Sequence, residues 1–336
     1  MLRRYLAAAI VLFTGLVLLV AMWPQLFGLQ RTAPIAQLVS FRGAALGALA
    51  IAVLVLFFVS VLTPSKRRFA ASIAVVLIAA AALQAVVIAS RGAGNIGFET
   101  ASAGTVTMLA WNTLGDAPGA DVVATLALDT DADVVVLSET SAAFGLAVQE
   151  IMGLSGQPMQ AFTVSYDQIS KARSTTVLIA ESLGEYTVDQ EEPSTSVLPS
   201  VVARPANGSG PTIVGVHLVA PLPAEFANWN SDLRWIAEAC AGENVIVAGD
   251  FNSTIDHFTG LGNSQAALGD CVDAAAATNN AAVGTWPTLL PPLFGAPIDH
   301  VMATPNWRFT GMRVIENYDG HGSDHRPVLA QLIAAS

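Results

Sequence analysis

Residues 245–254 read VIVAGDFNST. A run of small and branched apolar residues stops abruptly at an acid, an aromatic and an amide, the pattern of a buried strand closing in a turn. Alternation along such a strand puts Asp250 and Asn252 on one face and packs Phe251 inward on the other. Working outward, apolar β-rich runs recur as TVTMLAWN, DVVVLSE, AFTVSY, TTVLIAE, SVVARP, TIVGVHL, PIDHVMAT and HRPVLAQLI. Helical periodicity separates some of them, at 121–129 and at 228–241, where Trp229, Leu233, Ile236 and Ala237 share a face. Several neighbouring strands leave no room for a helix between them, which argues against a doubly wound parallel sheet. The pattern predicts an α+β domain over 105–336: two mixed sheets packed face to face with helices outside, a four-layer α/β/β/α sandwich.

The chain has 336 residues, 53% of them apolar, more than an average soluble protein carries. The excess lies at the front. Stretches 5–23, 43–62 and 69–90 carry no charge and each approaches the ~20 residues that cross a hydrocarbon core. The first is long for a signal peptide and ends in AMWPQLFG without a small-residue cleavage site, so it reads as an anchor that stays. Residues 1–92 are thus expected to be a membrane anchor of three transmembrane helices, and the Gly/Ala/Ser-rich 93–104 a linker. Arg3, Arg4, Lys66, Arg67 and Arg68 outweigh Arg31, Arg42 and Arg91. The positive-inside rule therefore places the amino terminus in the cytoplasm and everything after residue 91 outside it, in a multi-pass cell-membrane protein.

Charge divides at the same boundary. Residues 1–100 hold eight Lys/Arg and one acid, whereas 101–336 hold seven Lys/Arg and 25 Asp/Glu. Such an acidic surface disfavours a general duplex-DNA binder, but a bound divalent cation would still admit a phosphate substrate. The two cysteines, Cys240 and Cys271, flank the GDFN segment as a disulfide or as two buried thiols; placement in an oxidising compartment favours the disulfide.

Strand ends collect the chemistry: Asn112 after MLAWN, Glu139 after VVVLSE, His217 in VGVHL, Asp250 and Asn252 in GDFN, Asp299 in PIDH, and Asp324 and His325 in GSDH. Singly, each has a structural explanation as a turn former, a solvated edge or a packed histidine. Jointly, on one rim, they supply hard oxygen ligands for a cation, groups that position a water, and histidines that stabilise phosphoryl charge.

In this motif order, with GDFN and SDH its most specific pieces and LSE and WN adding to them, the stretch 105–333 resembles the endonuclease/exonuclease/phosphatase superfamily, the deoxyribonuclease I-like enzymes. The resemblance implies Mg²⁺, Mn²⁺ or Ca²⁺ as cofactor. It implies Glu139 as principal metal ligand, with Asn112 beside it and Asp324 completing a metal site. Asp250, helped by Asn252, would activate water; His325, oriented by Asp299, would bind the phosphoryl oxygens. His217 would be a second phosphate-side donor that could also protonate the leaving group. The nuclease branch supports its central histidine with a further acid; Asp167 or Tyr166 could stand there, and the partner of His217 stays open. Trp286, His300 and His321 are candidate substrate-lining residues.

The expected function is a membrane-anchored, extracytoplasmic, metal-dependent phosphohydrolase acting on a phosphodiester or phosphomonoester. Its substrate is a lipid, a small molecule or a nucleic acid, its other partner the bilayer, and no protein partner is inferred. The alternatives are a nuclease acting on DNA or RNA outside the cytoplasm, and a catalytically silent binding module. The intact GDFN and SDH motifs speak against the last, and seven basic residues are few for tracking a nucleic-acid backbone.

Overall fold

In the computed structural model, which describes residues 1–94, 97–167, 169–192 and 194–335, strands β1 (Val106–Asn112) and β2 (Val134–Ser138) run parallel with Asn112 opposite Ser138. Their period-2 alternation builds two cores at once. Met108, Ala110, Val134 and Val136 belong to one apolar cluster, and Leu109, Trp111, Val135 and Leu137 to another. The second cluster also contains Val123 and Leu126 of α5 (Ala120–Asp129) and Val148 and Met152 of α6 (Ala142–Leu154). One face of the sheet thus packs on helices and the other on a second sheet.

The first sheet has six strands in the order β12 (Trp307–Val314), β13 (Val328–Ala334), β1, β2, β4 (Ser174–Ala180), β3 (Met159–Ser165). The second has seven: β5 (Tyr186–Val188), β6 (Val201–Pro205), β7 (Thr212–His217), β8 (Val245–Asp250), β11 (Asp299–Ala303), β10 (Cys271–Asp273), β9 (Ala267–Leu268). Each sheet holds one parallel pair, β1–β2 and β7–β8. The crossovers contain α5 and α7 (Phe226–Ala239), as parallel pairing requires; α7 buries Trp229, Leu233 and Ile236. Two short helices, α8 (Ile255–Phe258) and α9 (Ala274–Ala277), follow. The two mixed sheets flanked by helices are the architecture expected from the sequence.

The strands that sequence reading missed are β5, β9 and β10, of two or three residues each, and β12, whose alternation is broken by a register shift between Phe309 and Gly311. Helix α6 was missed too; Ser141 caps it by accepting from the Phe144 amide. The disulfide forms: Cys240, just past α7, is bonded to Cys271 of β10, both fully buried.

Residues 1–91 and 92–336 are separate compact units. In the first, three helices are long and apolar enough to cross a membrane: α1 (Leu2–Met22), α3 (Arg42–Leu62) and the stretch Pro64–Arg91 that includes α4 (Arg67–Arg91). Short α2 (Ile35–Ser40) precedes α3. Arg42 donates to the Met22 carbonyl and to Gln84 Oε1, tying the three long helices together. In the second unit, part of the expected linker belongs to the domain. Glu99 donates its amide to the Thr310 carbonyl and pairs with Arg308, and Phe98 lies under the Arg313 guanidinium; Gly92, expected to close the anchor, accepts from Ala282 through its carbonyl. Residues 95 and 96 of that stretch lie outside the described residues.

Candidate active site

The carboxyl ends of the two parallel pairs, one from each sheet, meet at a single rim. Asn112 ends β1 on the inter-sheet face, two residues past Ala110. Its Nδ2 donates to Glu139 Oε1 at 3.1 Å and to Asp250 Oδ2 at 3.0 Å, while its Oδ1 accepts from the Leu114 amide. His217 lies directly opposite Asp250 in the β7–β8 register, and Asp299 opposite Asp250 in the β8–β11 register. His217 Nε2 stands 3.9 Å from both Glu139 Oε1 and Asp250 Oδ2. Across from it, His325 Nδ1 bonds Asp299 Oδ2 at 2.9 Å and points Nε2 at Asp250 Oδ2, 3.8 Å away.

Simple alternation does not place Glu139 or Asn252. Continuing β2, Glu139 would face the helices with Leu137; it adopts φ 55° instead and turns its carboxylate to Asn112. Asn252 has φ 44° in the turn after β8. Its amide donates to Asp250 Oδ1 at 2.8 Å, and its Nδ2 to the Leu218 carbonyl. The turn, not strand alternation, brings it beside Asp250, while Phe251 is buried as expected. Left-handed backbone at two non-glycine residues is a cost that the surrounding hydrogen bonds sustain.

Burial sets the electrostatics. It pushes the Asp250 carboxyl up, against the pull of His325. It pushes His217 down, against the attraction of Asp250, and so favours neutral imidazole. It also opposes charge on His325, but Asp299, Asp250 and Asp324 overcome it and raise the imidazolium to about 10.

Other sequence candidates fall in different places. Asp324 Oδ2 accepts from Trp286 Nε1 at 2.8 Å, and the Trp286 ring lies 6.4 Å from that of His325, so both border the site. His321 is exposed and stacks on Tyr318. His300 is not a lining residue: it is buried between Phe251 and Phe258, with Nδ1 2.7 Å from Asp273 and Nε2 2.8 Å from the Ser253 carbonyl. Neither residue considered as a partner for His217 reaches it. Asp167 binds the Ile169 and Ser170 amides and Arg173, and the Tyr166 hydroxyl donates to the Thr195 carbonyl. His217 Nδ1 is buried without a hydrogen-bond partner.

Sequence reading also missed the residues that hold the site in place. Ser323 Oγ donates to the Asn112 carbonyl and accepts from the His325 amide, and Trp111 Nε1 donates to the His325 carbonyl. Thr285 Oγ1 accepts from the Asp299 amide. The only signal for Trp111 and Ser323 was their place in WN and SDH, and Thr285 stands only beside Trp286 in GTWP.

The donors suit a hard divalent cation. The buried Oδ1 atoms of Asp299 and Asp324 make no hydrogen bond; ligand atoms of Asp250, Asp299 and His325 lie within 4.8 Å of one another, but a charged His325 has no lone pair to give a metal.

Residues 109–325 match the family model described as Endonuclease/Exonuclease/phosphatase family. The chain belongs to that family. Its members are metal-dependent phosphoesterases and nucleases, and this chain is such an enzyme. Solved structures share the fold. An endonuclease/exonuclease/phosphatase from Beutenbergia cavernae superposes with TM-score 0.52 at 17% identity over 69% of this chain and 72% of that one. D. rerio TDP2 complexed with single strand DNA product gives 0.51 at 19% identity over 68% and 98%. The family protein from Bacteroides vulgatus gives 0.50 at 16% over 69% and 99%. No curated protein matches the sequence.

Proposed function

We propose that this family member hydrolyses a phosphoric ester by in-line attack of water, from a domain held outside the cytoplasm by three transmembrane helices. One observation carries the reading: the Asn112 amide joins Glu139 of one sheet to Asp250 of the other, and the His325–Asp299 pair faces the same Asp250 oxygen.

Glu139, Asn112 and Asp324 would hold a divalent cation, Mg²⁺ or Mn²⁺ with Ca²⁺ as a substitute. When bound, it supplies Lewis-acid polarisation of the phosphoryl group. Asp250, held by Asn252 and kept basic by burial, takes the proton of the attacking water as the P–O bond to the leaving group breaks. His325, charged at neutral pH, stabilises the negative charge that grows on the phosphoryl oxygens. With its neutral form favoured, His217 is assigned hydrogen-bond donation, and the departing oxygen takes its proton from solvent water.

The test uses the full chain in detergent with Mg²⁺ or Mn²⁺ and a chromogenic phosphate bis-ester or mono-ester. Glu139→Gln and Asp250→Asn are each expected to cut kcat/KM by about 100-fold or more, and a chelator to abolish turnover reversibly. Hydrolysis that survives both Asp250→Asn and His325→Ala sinks the assignment.

A further inference from the structure

We infer that the substrate is an amphiphilic phosphoester presented at a lipid surface, taken up through a collar of apolar side chains around the mouth of the site. This rests on the phosphohydrolase reading above.

The collar comes from separate segments that follow or touch the site: the loop after Asn112 meets the β3–β4 loop where Lys171 bonds the Gly115 carbonyl and Asp116, and the segment after Trp286 bonds the Asp324 carbonyl through the Thr288 amide. Leu114 lies two residues beyond Asn112. Ile169 projects from the β3–β4 loop, and Leu222 from the loop that follows His217. Leu289, Leu293 and Phe294 sit in the segment between Trp286 and Asp299. All are exposed, Ile169 and Leu289 almost wholly, at 95% and 90%. Beyond these and Tyr166, on the same loop as Ile169, the large exposed apolar side chains of the domain among the described residues are Leu146, Leu154 and Val272, scattered singly on α6 and β10. Isolated exposed leucines are ordinary; a ring of them around a catalytic mouth marks a surface that meets something apolar.

Charge argues for lipid over nucleic acid as the occupant. Of the seven basic residues after position 100, five are committed to acids: Lys171 to Asp116, Arg173 to Asp167, Arg204 to Glu192, Arg308 to Glu99 and Arg326 to Asp319. A phosphate backbone needs a track of available cations, whereas hydrocarbon and a single headgroup do not. The domain is strongly acidic, so the collar and not charge must do the docking, and a zwitterionic surface suffices. Chain continuity supplies the surface. The same chain carries three helices long and apolar enough to cross a membrane.

The experiment reconstitutes the full chain in phosphatidylcholine vesicles and compares turnover of phosphodiester and phosphomonoester lipids with that of a water-soluble bis-ester. In Leu289→Ser/Phe294→Ser the ratio of lipid to soluble turnover is expected to fall at least tenfold. Separately, Leu289→Cys and, as a control, Leu154→Cys are labelled with an environment-sensitive dye; Cys240 and Cys271, bonded and buried, do not react. The label at 289 should report an apolar environment in vesicles and the label at 154 an aqueous one. An unchanged ratio, an oligonucleotide turned over faster than any lipid, or a label at 289 as aqueous as that at 154 overturns the collar. If wild type hydrolyses no ester of any kind, the phosphohydrolase reading fails, and the two labels still decide whether the collar meets lipid.

Discussion

His325 owes its charge to neighbours that outweigh burial, and this has a direct pH consequence. A histidine raised to about 10 keeps its proton through neutral pH and loses it as pH rises through that value. Asp299→Asn removes its hydrogen-bonded carboxylate, so the alkaline limb of the kcat/KM profile should move at least one unit lower; an unmoved limb would show that Asp299 does not set it. His300 makes a second buried pair, outside the site. Both of its nitrogens face acceptors, Asp273 and the Ser253 carbonyl, so both must donate and the ring is an imidazolium. Burial opposes that charge, but Asp273 overcomes it and the folded-state value is raised. The stability from this pair is therefore complete below the unfolded value of about 6.5 and is lost as pH rises through the folded one. His300→Ala, which strands Asp273 in the core, should cost about 3–5 kcal/mol in denaturant unfolding.

At the level of elements, two glycines let the sheets carry the site. A Cβ on Gly249, at φ 138°, would lie 2.1 Å from the Val216 carbonyl oxygen, and one on Gly215 would lie 2.3 Å from a Val177 methyl across the inter-sheet core. Gly215→Ala is expected to lower stability by about 1–3 kcal/mol through overpacking. Gly249→Ala should cost more, because backbone must move, and should lower activity as well by displacing Asp250; unfolding curves and kcat/KM check the two effects. Reducing the Cys240–Cys271 bond, which closes a loop of 31 residues, should cost about 3–4 kcal/mol. The main strands of both sheets were legible because each is long enough to alternate. Strands of two or three residues, and β12 with its bulge, carry too little periodicity to be read.

For the whole molecule the predictions concern topology. The proposed topology, with the amino terminus in the cytoplasm and three crossings, puts the catalytic domain outside. A carboxyl-terminal alkaline phosphatase fusion should be active and a β-galactosidase fusion inactive, with the reverse result placing the domain in the cytoplasm. The basic residues beside the spans, five on one side against three on the other, agree with that orientation.

The sequence by itself determined three hydrophobic spans, the layered strand pattern and the residue types at the strand ends, because hydropathy and period-2 alternation are local properties of the chain. GDFN and SDH were legible for the same reason: each places its functional groups within a few residues. Tertiary structure decided the rest. Glu139 turns inward on a left-handed residue that alternation points the other way, His300 is drawn into the core by Asp273, and Ser323, which holds the His325 amide, reaches the Asn112 carbonyl across 211 positions. The proposed apolar collar is likewise invisible along the chain, since its six members are ordinary exposed residues whose segments meet the site only in the folded domain.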